Sequence, residues 1–182
     1  MKFEGNVALL QQKMANSSAG VARRLAVMNA LNLQTGNTVL DVGCGAGHLI
    51  REIGLAVGHS GQAFGLDPSE AQIKAAKRHC EALGNTQFFC CLADQVDLLD
   101  ASCDAIASIQ TLDYIKDVGA TLDQVVRLLK PTSSFVNVSV LWDHFKFHGA
   151  DEKLNDLIHD AWKAHCHHQM LPLELSGRLA KR

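Results

Sequence analysis

The chain has 182 residues, 47% hydrophobic and 20% charged, with seventeen Lys and Arg against nineteen Asp and Glu for a formal net charge of −2. That length suits one domain, and that composition supplies a core and excludes wholesale disorder. No basic block marks a nucleic-acid partner and no apolar run approaches the roughly 20 residues that span a bilayer, so neither a nucleic acid nor a membrane is expected as a partner.

In chain order, residues 19–31 carry Val21, Leu25 and Met28 at helical spacing. Residues 1–35 read as an N-terminal helical segment whose first 18 residues are a candidate lid. Thr38-Val39-Leu40-Asp41-Val42-Gly43 predicts a first strand and Gln62-Ala63-Phe64-Gly65-Leu66-Asp67 a second, followed by Pro68. Ser69-Glu70-Ala71-Gln72 has the capping-box pattern and opens a helix running to about Leu83, with Gly84-Asn85 as a left-handed stop. Thr86-Gln87-Phe88-Phe89-Cys90-Cys91 predicts a third strand and residues 103–109 a fourth. A helix over 117–129 places Val118, Leu122, Val125, Val126 and Leu129 on its apolar positions ahead of Pro131. Residues 134–142 predict a fifth strand, and 151–165 a helix with Leu154, Leu157, Ile158, Ala161 and Trp162 at its apolar positions.

The strand runs are continuously apolar, as expected where both faces are covered. Their alternation with helices predicts an α/β fold, a doubly wound, Rossmann-like, mostly parallel sheet. The core of this single domain spans 36–142, and 143–182 form a C-terminal helical segment. Ligands of such sheets bind outside the carboxyl ends of the strands. The start Met1-Lys2-Phe3-Glu4-Gly5 lacks the apolar stretch of a signal peptide, and the expected location is the cytoplasm. The cysteines at 44, 80, 90, 91, 103 and 166 read as reduced, packed thiols rather than disulfides.

At the end of the first strand, Gly43-Cys44-Gly45-Ala46-Gly47 leads directly into a helix. The glycines let the backbone turn sharply and approach a ligand closely. The spacing is G-x-G-x-G, and Asp41 precedes it by two residues. A carboxylate there repels a pyrophosphate and suits an ammonium or sulfonium, which argues against a nicotinamide-dependent oxidoreductase. Asp67 ends the second strand, where it suits the two hydroxyls of a ribose. Asp94, in Leu92-Ala93-Asp94 after the third, suits an adenine amino group or, taken alone, a helix cap.

With these residues in view, Val39 to Gly47 resembles the first motif of class I S-adenosylmethionine-dependent methyltransferases. Gly65-Leu66-Asp67-Pro68-Ser69 is similar to their acidic ribose loop and Ala93-Asp94 to their adenine loop. Ser108-Ile109-Gln110-Thr111-Leu112 and Val125-Val126-Arg127-Leu128-Leu129-Lys130-Pro131 resemble the type-11 small-molecule branch that includes quinone-biosynthesis methylases. The resemblance implies S-adenosylmethionine as cofactor and S-adenosylhomocysteine as product. It implies that Gly43, Gly45 and Gly47 line the methionine moiety, with Cys44 packed in the same loop and Asp41 helping to hold the amino group. Asp67 would take the ribose, Pro68 would pack near the adenine, Ala93 and Asp94 would flank and fix it, and Gln110 and Thr111 would border cofactor and acceptor.

Two departures stand out. The family usually has Pro-Gly-Gly where this chain has Pro131-Thr132-Ser133, and it usually adds two strands after the fifth, where nothing strand-like follows Trp142 here. The fifth strand is therefore expected as an edge, in a fragment or in a short chain whose edge a homodimer mate or another partner covers. The expected activity is transfer of a methyl group to a small organic acceptor, with a non-catalytic cofactor-binding or partner subunit of the same fold as the alternative. Where the acceptor must lose a proton, His144 is the first candidate base and His148 the second, in the run from Trp142 to His148, with Asp113 and Tyr114 as further candidates. His165-Cys166-His167-His168 lies at a helix end, and consecutive helical positions diverge, so no metal is expected.

Overall fold

The computed structural model describes the backbone from residue 6 and side chains from residue 10 through to Arg182. The first five residues of the candidate lid lie outside the described residues. Five parallel strands, β1 (Thr38–Val42), β2 (Gln62–Leu66), β3 (Thr86–Phe89), β4 (Cys103–Ile109) and β5 (Leu129–Val138), form one sheet in the order β3-β2-β1-β4-β5. The order reverses between β1 and β4, which places the switch point beside the glycine loop. Seven helices accompany the sheet among the described residues: α1 (Asn6–Asn16), α2 (Ser18–Leu31), α3 (His48–Val57), α4 (Glu70–His79), α5 (Val118–Leu128), α6 (Glu152–Lys163) and α7 (Leu171–Leu179).

Side-chain alternation along the strands divides the core in two. Val39, Ala105 and Ala107 pack with Val27 and Leu31 of α2 and with Ile50, Ile53 and Val57 of α3. On the opposite face Leu40, Val42 and Ile106 meet Leu122, Val125 and Leu128 of α5 and Leu171 of α7. Burying each such aliphatic side chain contributes about 1.5–3 kcal/mol, so the two clusters carry the fold's stability.

Several helix starts match the sequence signals. Ser69 caps α4 by accepting from the Gln72 N–H at 3.4 Å, Asp117 caps α5 through Ala120 at 3.0 Å, and Asp151 caps α6 through Leu154 at 2.7 Å. Other boundaries differ. The helix α4 ends at His79 rather than near Leu83, and Gly84 does not take the left-handed conformation expected of a stop. The strand β3 ends at Phe89, so Cys90 and Cys91 lie beyond it.

The expected apolar face of α2 is turned outward. Val21 and Leu25 are about half exposed, while Gly20, Val27 and Leu31 are buried. Gly20 decides the rotation, since a Cβ there would stand 2.6 Å from the Ala15 carbonyl oxygen, so this face meets α1. The helix α6 forms as expected, yet none of its residues is buried.

The largest difference is at β5, which starts at Leu129 instead of Ser134 and stops at Val138. Its register to β4 jumps from Cys103↔Leu129 to Ala105↔Ser134, so β5 bulges over 130–133 and absorbs Pro131 at the sheet's edge, where a missing N–H is tolerated. Thr132 sits in that bulge at φ +67°, a left-handed conformation that strains a β-branched residue. The glycine usual at this point of the motif would relieve that strain. Thr132→Gly is expected to raise stability by about 0.5–1 kcal/mol, or about 2 °C in melting temperature, with cofactor affinity unchanged. Thermal melts of the two proteins check this.

Candidate functional site

The carboxyl end of β1 carries Asp41, which is only 3% exposed, and its Oδ1 has no hydrogen-bonding partner among the described residues. Burial first, and then the charge of neighbouring Asp67, push its pKa up to about 7. The chain keeps a costly group here, since an unpartnered buried carboxylate is disfavoured. Asp67 is better served: its Oδ2 accepts from the Gly45 N–H at 3.1 Å and its Oδ1 from the Ser69 N–H at 2.9 Å. Burial raises its pKa and these two N–H bonds pull it back. Each oxygen keeps a further lone pair for a ligand.

Between the two acids runs the glycine loop, with Gly43, Gly45 and Gly47 all left-handed. A Cβ on Gly43 would run into the Thr111 side chain, and one on Gly47 would stand 2.9 Å from the Ala76 Cβ. At Gly45 the same position is open, with only the Gln72 amide oxygen at 3.9 Å. The loop is thus closed against α4 and against Thr111 after β4 but leaves its middle free to meet a ligand. Cys44 is buried and its thiol pKa is raised by burial, then by Asp41 and Asp67, so it stays protonated and packs over Gly65.

The other expected residues surround this loop. Pro68 is exposed after β2, and its carbonyl lies 3.8 Å from the Cys90 thiol. Ala93, buried, and Asp94, exposed, occupy a 3₁₀ turn. Gln110 has a left-handed backbone with φ +49° and donates its N–H to the Val138 carbonyl at 2.6 Å. Thr111 shares its hydroxyl proton between the carbonyls of Ile109 at 3.2 Å and Gly43 at 3.4 Å. Loop, Asp67 and Thr111 are therefore one bonded unit.

Two contributions from the N-terminal helices were not read from the sequence. Gln11 of α1 accepts from the Gln72 amide at 2.5 Å, and Arg23 of α2 donates to the Gln110 side-chain oxygen. Arg24 is neutralised by Glu52 at 2.7 Å, whereas Arg23 has no acidic partner among the described residues. Buried Gly20, Val27 and Leu31 share their helix face with both arginines, a spacing that could have been read had Val21 and Leu25 not suggested another face.

His144 and His148 are exposed, and their side chains make no described hydrogen bond or ion pair. Asp113, by contrast, is completely buried in a 3₁₀ turn after β4. Its carbonyl accepts the N–H groups of His167 at 2.9 Å and His168 at 3.1 Å, tying the segment after α6 to the end of β4. Among the described residues no group of three or more side chains is arranged to hold a metal ion, and no helix is long and apolar enough to cross a membrane.

The buried, orphaned Asp41, the open Gly45 and the amide-bonded Asp67 fit a cationic nucleoside such as S-adenosylmethionine. Comparison with known proteins agrees. Residues 33–173 match the family described as "Methyltransferase domain". The ubiquinone biosynthesis O-methyltransferase of Nitrobacter winogradskyi is 36% identical over 103 residues, which cover 56% of this chain and 38% of that protein. A SAM-dependent methyltransferase from Aquifex aeolicus shares the fold with a TM-score of 0.66 at 21% identity, over 78% of this chain and 77% of that one. A geranyl diphosphate C-methyltransferase from Streptomyces coelicolor, solved with S-adenosyl-L-homocysteine, gives 0.73 at 18% identity, over 90% and 58%. The chain spans less than half the length of the first curated relatives it matches. With its parallel 3-2-1-4-5 sheet, its acidic glycine loop and that family match, the chain belongs to the class I S-adenosylmethionine-dependent methyltransferases.

Proposed function

We propose that this chain binds S-adenosylmethionine at the carboxyl ends of β1 and β2 and directs its methyl group to a small organic acceptor. The observation that carries the reading is the unpartnered, buried Asp41 carboxylate against the left-handed glycine loop. When bound, the cofactor supplies a methyl group already activated by its sulfonium. The protein's task is then alignment, and favourable orientation alone can lower a barrier by about 7–11 kcal/mol.

In this reading Asp41 answers the positive end of the methionine moiety, directly or through water, and the Gly43–Gly47 backbone gives the room. Asp67, oriented by the Gly45 and Ser69 amides, accepts from the ribose hydroxyls, and Pro68, Ala93 and Asp94 border the adenine. Arg23, the inward arginine without an acid, answers the methionine carboxylate from the side of Gln110. Thr111 and Gln110 separate the cofactor from the acceptor.

Calorimetry with S-adenosylmethionine tests the reading. Micromolar binding is expected, weakened at least tenfold in Asp67→Ala, a loss of about 1.4 kcal/mol. A folded, monodisperse chain that binds neither S-adenosylmethionine nor S-adenosylhomocysteine overturns it. Arg23→Gln is expected to weaken S-adenosylmethionine about tenfold while leaving decarboxylated S-adenosylmethionine unaffected, since only the former carries the carboxylate.

Asp41 adds a pH signature. Its folded pKa of about 7 lies above the ordinary 3.8, so it favours folding below pH 3.8, and that contribution is lost as pH rises through 7. Asp41→Asn is therefore expected to stabilise the cofactor-free protein by about 2–3 kcal/mol more at pH 8 than at pH 5, while weakening cofactor binding. Melting curves at the two pH values, with and without cofactor, check both halves.

A further inference from the structure

The two edges of the sheet differ. The β3 edge is four residues long and offers little template for another strand. The β5 edge is ten residues long and buries none of them, although Phe135, Val136 and Val138 pack against the core clusters. The Val138 carbonyl accepts the Gln110 N–H at 2.6 Å, so the backbone groups of Val138 face β4. Successive residues of a strand turn their N–H and C=O to opposite sides. Ser134 and Val136 therefore also face β4, while Phe135 and Asn137 direct theirs away from the sheet. Among the described residues no backbone group pairs with these outward donors and acceptors.

Proteins blunt open edges with lysine, proline and bulges. Here Lys130, Pro131 and the bulge over 130–133 all come before Ser134, and residues 134–138 hold neither a charge nor a proline. Half of the edge is defended and half is left as a template.

We propose that a second copy of this chain pairs with residues 134–138 of β5, antiparallel about a two-fold axis at Val136, and joins the two sheets into one. The inference stands apart from the function proposed above. About that axis Phe135 exchanges both backbone hydrogen bonds with the partner's Asn137, and Asn137 does the same with the partner's Phe135. Every outward group of the two residues is then used. Val136 meets the partner's Val136 on the face that α2 and α3 cover, and adds apolar contact where that cluster is open.

Charge favours a second copy over an acidic or basic partner. Residues 131–142 are uncharged, so nothing on the edge repels its own copy and nothing selects a charged one. The charges bounding this stretch are Lys130 and Asp143, and an antiparallel copy brings these unlike ends together. The pairing is also closed, since the two-fold uses the β5 edge of both copies and leaves none for a third. The carboxyl ends of the two sheets then point in opposite directions. Each copy keeps its own glycine loop, and cofactor affinity is independent of association.

Sedimentation of the chain over a wide concentration range, with S-adenosylhomocysteine affinity measured alongside, tests the pairing. A reversible monomer–dimer equilibrium is expected. Asn137→Pro removes an outward N–H and none that faces β4, and should weaken the dimer at least about tenfold with S-adenosylhomocysteine affinity unchanged. In a Cys90→Ser background, Val136→Cys should form a disulfide-linked dimer on mild oxidation by air. Facing residues of a non-hydrogen-bonded pair have Cα atoms about 4.5 Å apart, within disulfide reach. Ser134→Cys is the control: the residue is exposed but stands opposite the partner's Val138, so it should not cross-link. A chain that stays monomeric throughout overturns the proposal. So does a dimer that Asn137→Pro leaves at full strength, that Val136→Cys does not lock, or that Ser134→Cys locks equally well. Growth beyond the dimer overturns the closed two-fold. Should Asn137→Pro fail to fold, the two cysteine variants decide.

Discussion

Two amide protons, those of Gly43 and Cys44, converge on the carbonyl oxygen of Leu66 at 2.9 Å. That shared contact ties the turn after β1 to the end of β2, and it exists only because Gly43 takes a left-handed conformation that puts its missing Cβ where the Thr111 side chain stands. From it follow the exposed middle of the loop at Gly45, the bond from Gly45 to Asp67, and the approach of α3 and α4 that Gly47 and Ala76 permit. A side chain at Gly43 or Gly47 would push apart three elements at once. The site's shape is thus a property of backbone packing before any polar chemistry is added.

Polar cost is concentrated around that frame rather than spread over the molecule. The two face clusters of the sheet are almost wholly aliphatic, and the described buried groups without partners gather at the carboxyl ends of the strands. Burial lifts the carboxyls of Asp41 and Asp113 toward neutral pH, opposed at Asp113 by hydrogen bonds from Ser139, Val140 and Trp142, while Oδ1 of Asp41 lacks a bonded partner. Such groups lower the stability of the free protein, which the aliphatic clusters offset. The neighbouring arginines differ in the same way, Arg24 pairing with Glu52 while Arg23 bonds only to the neutral Gln110 side chain.

Much of the architecture was legible because it rests on local chemistry. The continuous apolar runs of β1, β2 and β4, the cap at Ser69, the helix starts at Asp117 and Asp151, and the glycine spacing after Asp41 act over a few residues. The misread features are those in which a distant contact wins. Rotation of α2 was decided by Gly20 against Ala15, not by its apolar stripe. The start of β5 was decided by pairing of Leu129 with Cys103 across a bulge that holds a proline, which local signals read as a break. Gln72 follows the capping pattern through its backbone, yet its side chain goes to Gln11 rather than back to the cap.

By itself the sequence determined the fold class, the parallel alternation and the placing of the acids Asp41, Asp67 and Asp94 after successive strands, because strand ends and glycine turns are encoded by neighbours in the chain. Only the tertiary structure decided that Asp41 is unpartnered, that Arg23 reaches Gln110, and that Asp113 is sealed beneath a segment 54 residues later while His144 and His148 stay exposed. Burial and partner loss depend on which distant surfaces meet, and spacing along the chain carries no record of that.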